Sequence, residues 1–113
     1  MEEQKDKAAF IAALSELDQA LDANIDRAQR MKRRIAELQR ASASGRPIKE
    51  IVPEETTPLL VQLLTESADT LHVYGSRVRR TEARTLHHEG LTMDQIARLF
   101  GVSRQRVSAL LRD

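Results

Sequence analysis

Apolar residues recur every three or four positions over the first part of the chain, which is the spacing of one face of an α-helix. Neither Gly nor Pro interrupts the stretch between Lys5 and Arg40. The pattern predicts one long helix over residues 1–40. Two of its rows have heptad spacing, as the a and d positions of a coiled coil do. These rows contain Phe10, Leu14, Leu17, Leu21, Asn24, Ala28, Met31, Ile35 and Leu38.

Two arrangements would bury this apolar stripe: packing on the rest of its own chain, or a seam with a second copy. A helix of about 36 residues extends about 54 Å, which is longer than a domain of about 55 residues can cover. The length therefore favours a coiled-coil homodimer. Asn24, at a position where apolar residues are usual, is expected to fix the register by pairing with its equivalent.

The charges of this helix favour one orientation of the pair. Residues 1–26 carry two basic and seven acidic groups, whereas residues 27–40 carry six basic and one acidic group. An antiparallel pair sets acid against base, and a parallel pair sets like charges together. Antiparallel pairing is our hypothesis, and the parallel arrangement remains open.

Residues 41–56 break the helical periodicity with Gly45, Pro47 and Pro53, which indicates a linker. Thr57 is then the expected N-cap of a further helix, with Pro58 at its first position. The sequence leaves open whether this helix runs through Gly75. The expected fold is all-α, with a coiled-coil helix over 1–40, a linker over 41–56 and a helical head over 57–113.

The strongest local pattern, over residues 91–112, predicts two short helices around a tight turn. Thr92 and Gln95 have the spacing of a capping box, and Ser103 is the expected N-cap of the second helix. Between the helices, Gly101 can adopt the positive φ that a short turn requires. The expected unit is a helix-turn-helix. Its inner faces are formed by Ile96, Phe100, Val102, Val107 and Leu110.

This unit resembles the C-terminal promoter-reading helix-turn-helix of bacterial sigma-70-type factors. The resemblance covers Arg77 to Arg112 and leaves the other two thirds of the chain unmatched. It implies a stand-alone DNA-binding regulator. The shared residues are Leu91-Thr92, Gln95-Ile96-Ala97, Phe100 and Val102-Ser103-Arg104-Gln105-Arg106-Val107.

The resemblance places the second helix in the major groove of DNA, with its N-terminal residues toward the base edges. Arg bonds guanine and Gln bonds adenine in that groove. The expected base-reading residues are Ser103, Arg104, Gln105 and Ser108. The expected phosphate contacts are Arg77, Arg79, Arg80, Arg84, Thr92, Arg106 and Arg112. For Arg106, the alternative is an internal ion pair with Asp94 or Glu82.

Charge supports this assignment once it is divided by position. The chain has 18 Lys+Arg and 17 Asp+Glu, a net charge of +1. Residues 76–112 nevertheless carry eight Arg against three acidic groups, and none of their basic residues is Lys. Arg is the side chain best suited to bidentate recognition of phosphates and base edges.

Composition argues against several other classes of protein. The chain has no Cys and three His, which do not form a metal-ligand set, and it has no Gly-rich phosphate loop or nucleophile elbow. We therefore expect no enzyme activity, no cofactor and no metal. No apolar stretch approaches the roughly 20 residues of a membrane span, and the N-terminus lacks an export pattern. A cytoplasmic, nucleoid-associated protein is expected.

Two functions follow. The first is a homodimeric, sequence-specific regulator of transcription that binds double-stranded DNA through residues 104–112, with residues 27–40 as an optional further phosphate-binding strip. The alternative is a coiled-coil interaction protein that docks on RNA polymerase or another regulatory partner and reads DNA weakly or not at all.

Overall fold

The computed structural model describes residues 1–112, and every regular element in that range is helical. The predicted all-α fold with a long N-terminal helix is confirmed. Within the same residues, no helix has both the length and the apolar content that a membrane crossing needs. The α-helices are α1 (Glu2–Ala43), α2 (Ile48–Ile51), α3 (Leu60–His88), α4 (Met93–Phe100) and α5 (Arg104–Arg112).

Helix α1 follows from its composition. Ala, Leu, Gln, Glu and Arg, which are strong helix formers, make up most of it. Glu2 and Glu3 lie in its first turn and Arg40 in its last, where each charge opposes the helix dipole favourably. The helix ends just before Gly45, whose φ is +87°. It therefore extends three residues beyond the predicted end at residue 40.

The segment expected to be a linker is folded. It contains α2 and a 3-10 turn over Val52–Glu54, and the side chain of Ile51 is buried. Arg46 donates two hydrogen bonds to the Glu54 carboxylate, at 2.6 and 2.9 Å. These bonds and the charge of Arg46 hold the pKa of Glu54 below its usual value. The Gly and Pro residues mark turns here rather than a flexible tether.

Helix α3 begins at Leu60, so the expected cap at Thr57 is wrong. The N–H of Leu60 donates to Oε1 of Glu55 at 3.0 Å, and the same oxygen accepts from Nη1 of Arg34 at 3.1 Å. A carboxylate from five residues upstream thus caps the helix, which the charge of the helix terminus favours. The helix then runs unbroken through Gly75, which decides the question left open by the sequence.

The chain packs into two compact units that do not coincide with the expected boundaries at residues 40 and 57. The first unit comprises Met1–Gln19 with the described chain from His72 onward, and the second comprises Ala20–Leu71. Helices α1 and α3 each contribute to both. The expected head ended at Asp113, which lies outside the described residues.

In each unit α1 lies antiparallel to α3 of the same chain. In the second unit Nδ2 of Asn24 donates to the carbonyl of Ser67 at 3.2 Å, while Arg34 reaches the carbonyl of Pro58 at 3.0 Å. In the first unit Nε2 of His88 lies 2.9 Å from Oδ2 of Asp6, and Arg77 pairs with Glu16. In both units the sequence order of the contacts is reversed between the two helices.

The side of α1 that faces α3 combines two heptad positions, which together are called the inner row here; Glu16 lies beside it. All of its members are buried or half-buried, and they alternate spacings of three and four residues. The row consists of Asp6, Phe10, Ala13, Leu17, Ala20, Asn24, Arg27, Met31, Arg34, Leu38 and Ala41.

The residues of the homodimer seam expected from the sequence therefore fall into a group that faces α3 and a group that is exposed. Five of its nine residues belong to the inner row: Phe10, Leu17, Asn24, Met31 and Leu38. The other four, Leu14, Leu21, Ala28 and Ile35, are exposed. The side chain of Asn24, expected to pair with its equivalent in a second copy, donates to Ser67 of its own chain, because α3 lies within reach of its amide.

Candidate nucleic-acid interface

The C-terminal part of α3 packs with α4 and α5 around a small apolar core in the first unit. Ala83 and Ala97 contribute little volume and thereby let the helices approach closely, while Ile96, Val107 and Leu110 fill the centre. Partly buried apolar side chains close the edge of this core: Leu86, Leu91, Met93, Phe100 and Leu111. The core fixes α5 against α4 from its buried side.

The start of α4 and its connection to α5 have the predicted geometry. The Thr92 hydroxyl accepts from the N–H of Gln95 at 3.1 Å, and the Gln95 side chain accepts from the N–H of Thr92 at 2.8 Å. Gly101 has a φ of +66° and ends α4. Oγ of Ser103 then accepts from the N–H of Arg106 at 3.1 Å, which caps α5. The capping box, the left-handed glycine and the second cap are all confirmed.

The N-terminal half of α5 presents its polar side chains to solvent. Ser103, Arg104 and Gln105 are exposed, whereas Ser108 is half-buried and its hydroxyl lies 3.4 Å from Nη1 of Arg112. With Val107 and Leu110 buried, α5 has one apolar face and one free polar face. The four residues expected to read bases therefore lie on one short helix and its cap, and three of them are exposed.

One acidic residue lies close to this polar face. Oδ1 of Asp94 is 3.8 Å from Nε of Arg104, and both side chains are about two-thirds exposed. Such an exposed pair contributes little free energy, so Arg104 exchanges it readily for another acceptor. The ion pair considered for Arg106 with Asp94 is thus made by Arg104, because α5 begins with Arg104 next to the first turn of α4.

The residues expected to contact phosphate fall into two groups. Arg77 pairs with Glu16, and its guanidinium lies 5.5 Å from the centre of the Tyr74 ring. Arg84 lines an open cleft of about 410 Å³ beside Glu2 and Asp6. Arg77 is thus already paired with an acidic group of α1, and Arg84 shares its cleft with two others. Arg79, Arg106 and Arg112 are exposed, Arg80 is half-buried, and Thr92 forms the cap of α4.

The basic segment 27–40 is likewise only partly free. Nε of Arg27 lies 3.5 Å from the Glu66 carboxylate, and Nη1 of Arg34 lies 3.1 Å from that of Glu55. Sequence reasoning missed these partners. The signal was present, since Arg27 and Arg34 follow Asn24 and Met31 by three residues and so lie on the same face of α1.

The histidines form no metal site with their neighbours. His87 Nδ1 lies 3.1 Å from the carbonyl of Leu91, just beyond the end of α3, and His88 pairs with Asp6. Among residues 1–112, no cluster of three or more His, Asp or Glu side chains is placed to hold a metal ion.

Comparisons of the chain with protein-family models, with curated proteins and with solved structures found no match.

Proposed function

We propose that this protein is a homodimeric, sequence-specific DNA-binding regulator of transcription that reads the major groove with α5. The observation that carries the proposal is the free polar face of α5. This helix of nine residues is about 13 Å long, and B-DNA presents a major groove about 12 Å wide. A helix held from behind by a core and capped at its N-terminus suits insertion into that groove.

In this proposal Arg104 and Gln105 carry sequence recognition. Both are exposed near the N-terminal end of α5, where recognition helices approach base edges. The Arg guanidinium matches O6 and N7 of guanine, and the Gln amide matches N6 and N7 of adenine. The hydroxyls of Ser103 and Ser108 lie beside them and would add shorter-range contacts.

Phosphate contacts in this proposal come first from Arg79, Arg106 and Arg112, which are exposed, and from the half-buried Arg80. They supply affinity and position rather than sequence discrimination. Arg77 and Arg84 join them only if DNA competes with the acidic residues of α1. The salt dependence of binding should therefore correspond to fewer phosphate contacts than the eight Arg of residues 76–112 suggest.

The experiment is a gel-shift series of the protein against genomic DNA fragments at low and at physiological salt. We expect all fragments to shift at low salt and a subset to remain shifted at physiological salt. Absence of any shift at low salt would exclude DNA binding.

A second candidate function is favoured by the exposed apolar residues of the second unit. Ile25, Val61 and Leu64 are all more than half exposed. An interaction protein that docks such a surface on RNA polymerase or another large partner would have the same feature. Two results together would favour this function over the first. The unsubstituted protein would not bind DNA at low salt, and it would capture such a partner unless Ile25→Glu were introduced.

A further inference from the structure

Both long helices of the second unit carry a mainly apolar row on their exposed side. On α1 it comprises Leu21, Ile25, Ala28, Lys32 and Ile35, and on α3 it comprises Val61, Leu64, Ala68 and Leu71. Ile25 is 58% exposed, Val61 63% and Leu64 53%. These two rows together are called the outer face.

The two rows lie on the same side of the helix pair. The α1 row stands one residue after the inner row, and the α3 row stands one residue after Leu60, Leu63, Ser67 and Thr70, which are buried or half-buried. The contacts of Asn24 with Ser67 and of Arg34 with Pro58 make the helices antiparallel. In an antiparallel pair, rows with the same offset from the seam flank the same edge.

The outer face has the size of the apolar patches that are often functional on monomeric proteins. From Leu21 to Ile35 it spans about 21 Å, and two helices about 10 Å apart make it about 20 Å wide. The resulting area of roughly 400 Å² lies in the range of the largest apolar patches on monomers, which are often functional. Beside Ile35, an open groove of about 450 Å³ lined by Leu38, Ile48 and Leu60 continues the apolar surface.

The charged residues of α1 indicate which molecule binds the outer face. Three residues before Leu21, the continuation of this row along α1 has Asp18. Asp18 and Lys32 are the charged positions of the row nearest to Ile25, and each stands seven residues from it. A second α1 laid antiparallel about Ile25 brings Asp18 of each copy opposite Lys32 of the other. A parallel copy would oppose like charges. A face whose charges are complementary to themselves under a two-fold rotation fits an isologous dimer.

We propose that the outer face binds the same face of a second copy, with the two α1 helices antiparallel about Ile25. This proposal rests on the dimer of the proposed function and names its surface. The row differs from the seam predicted from sequence, because the inner row is already occupied by α3 of the same chain. The polar face of α5 takes no part in it.

The test exchanges the charges and measures dimer dissociation without DNA, by sedimentation or light scattering over a dilution series. Asp18→Lys and Lys32→Asp should each raise the dimer Kd about tenfold, because each turns two attractive pairs into repulsive ones. An equimolar mixture of the two variants should return the Kd to within about threefold of the unsubstituted protein. In a parallel dimer like charges already face each other, so each single variant would leave the Kd unchanged and the mixture would associate more tightly than the unsubstituted protein.

A cross-link supplies a geometric readout in addition to the dimer Kd. The chain has no Cys, so an introduced one is unique. Ile25→Cys should form an intermolecular disulfide efficiently because the two copies of residue 25 meet at the axis. Gln29→Cys, also exposed on α1, is the matched control and should not, because an antiparallel pair about Ile25 sets its two copies about 12 Å apart along the helix axis.

Each outcome decides the proposal. A dimer that both charge variants weaken, that their mixture restores and that Ile25→Cys links supports it. A monomer at about 100 µM, where even weak dimers of micromolar Kd associate, would overturn it, as would a dimer that Gln29→Cys links better. DNA binding is measured separately: a monomer that still shifts DNA removes this interface alone, and a dimer that shifts none removes the proposed function.

Discussion

The side chains of Arg104 and Gln105 are exposed to solvent, whereas those of Val107 and Leu110 on the same helix are buried in the core. Helix periodicity predicted this division, because an outward residue at 104 or 105 follows once 107 and 110 point inward. The nearby Asp94 was not placed by that reasoning. Its position depends on how α4 packs against α5, which is a tertiary property.

Arg104→Ala should reduce discrimination between specific and random DNA by about 1–3 kcal/mol, because it removes a bidentate contact to a base edge. Binding titrations on both DNAs measure it. Arg80→Ala is the matched control: as a phosphate contact it should weaken both DNAs alike and reduce the salt slope. If Arg104→Ala weakens both DNAs equally, its base-reading role is refuted.

Asn24→Ala should lower the free energy of unfolding by about 1 kcal/mol, because Asn24 donates to Ser67 and accepts from Arg27 within one chain. Urea denaturation measures this change, and a dilution series measures the dimer. We expect the dimer Kd to stay within about twofold. A weaker dimer with unchanged stability would instead mean that Asn24 pairs with its equivalent.

The helix ends show which parts of the fold can be predicted from the sequence. The caps at Thr92 and Ser103 were predicted because each lies within three residues of its partner, and so was Gly101. The start of α3 was not, since Glu55 caps it while held by Arg34, a residue 21 positions away. For α1, the periodicity predicted that apolar residues would be buried. It did not identify which of two adjacent heptad rows packs against α3.

Two glycines give opposite expectations in an Ala substitution. Gly101→Ala should lower the free energy of unfolding by about 1 kcal/mol, because its φ of +66° strains any residue with a Cβ. Gly75→Ala should raise it by about 0.5–1 kcal/mol, because Gly75 lies inside α3 and a Cβ there meets Arg79 at an ordinary 3.7 Å. Urea denaturation of the two variants measures both changes in the free energy of unfolding, and equal changes would contradict the turn geometry.

Charge is distributed so that much of it is matched inside the chain. Arg77 meets Glu16, Arg27 meets Glu66 and Arg34 meets Glu55. The net charge of +1 therefore does not show these ion pairs. Because of them, fewer cations near α5 are free than the number of Arg residues suggests. In our account the free cations serve DNA, while the outer face of the second unit serves dimerisation.

Selection of bound DNA from a random pool, carried out in parallel with the unsubstituted protein and with Arg104→Ala, examines the DNA-reading role of α5 most directly. We predict a recovered consensus for the unsubstituted protein, and for Arg104→Ala a consensus that loses its preference at one base pair and keeps the rest. A pool that stays random, or an identical consensus from both proteins, would contradict the account.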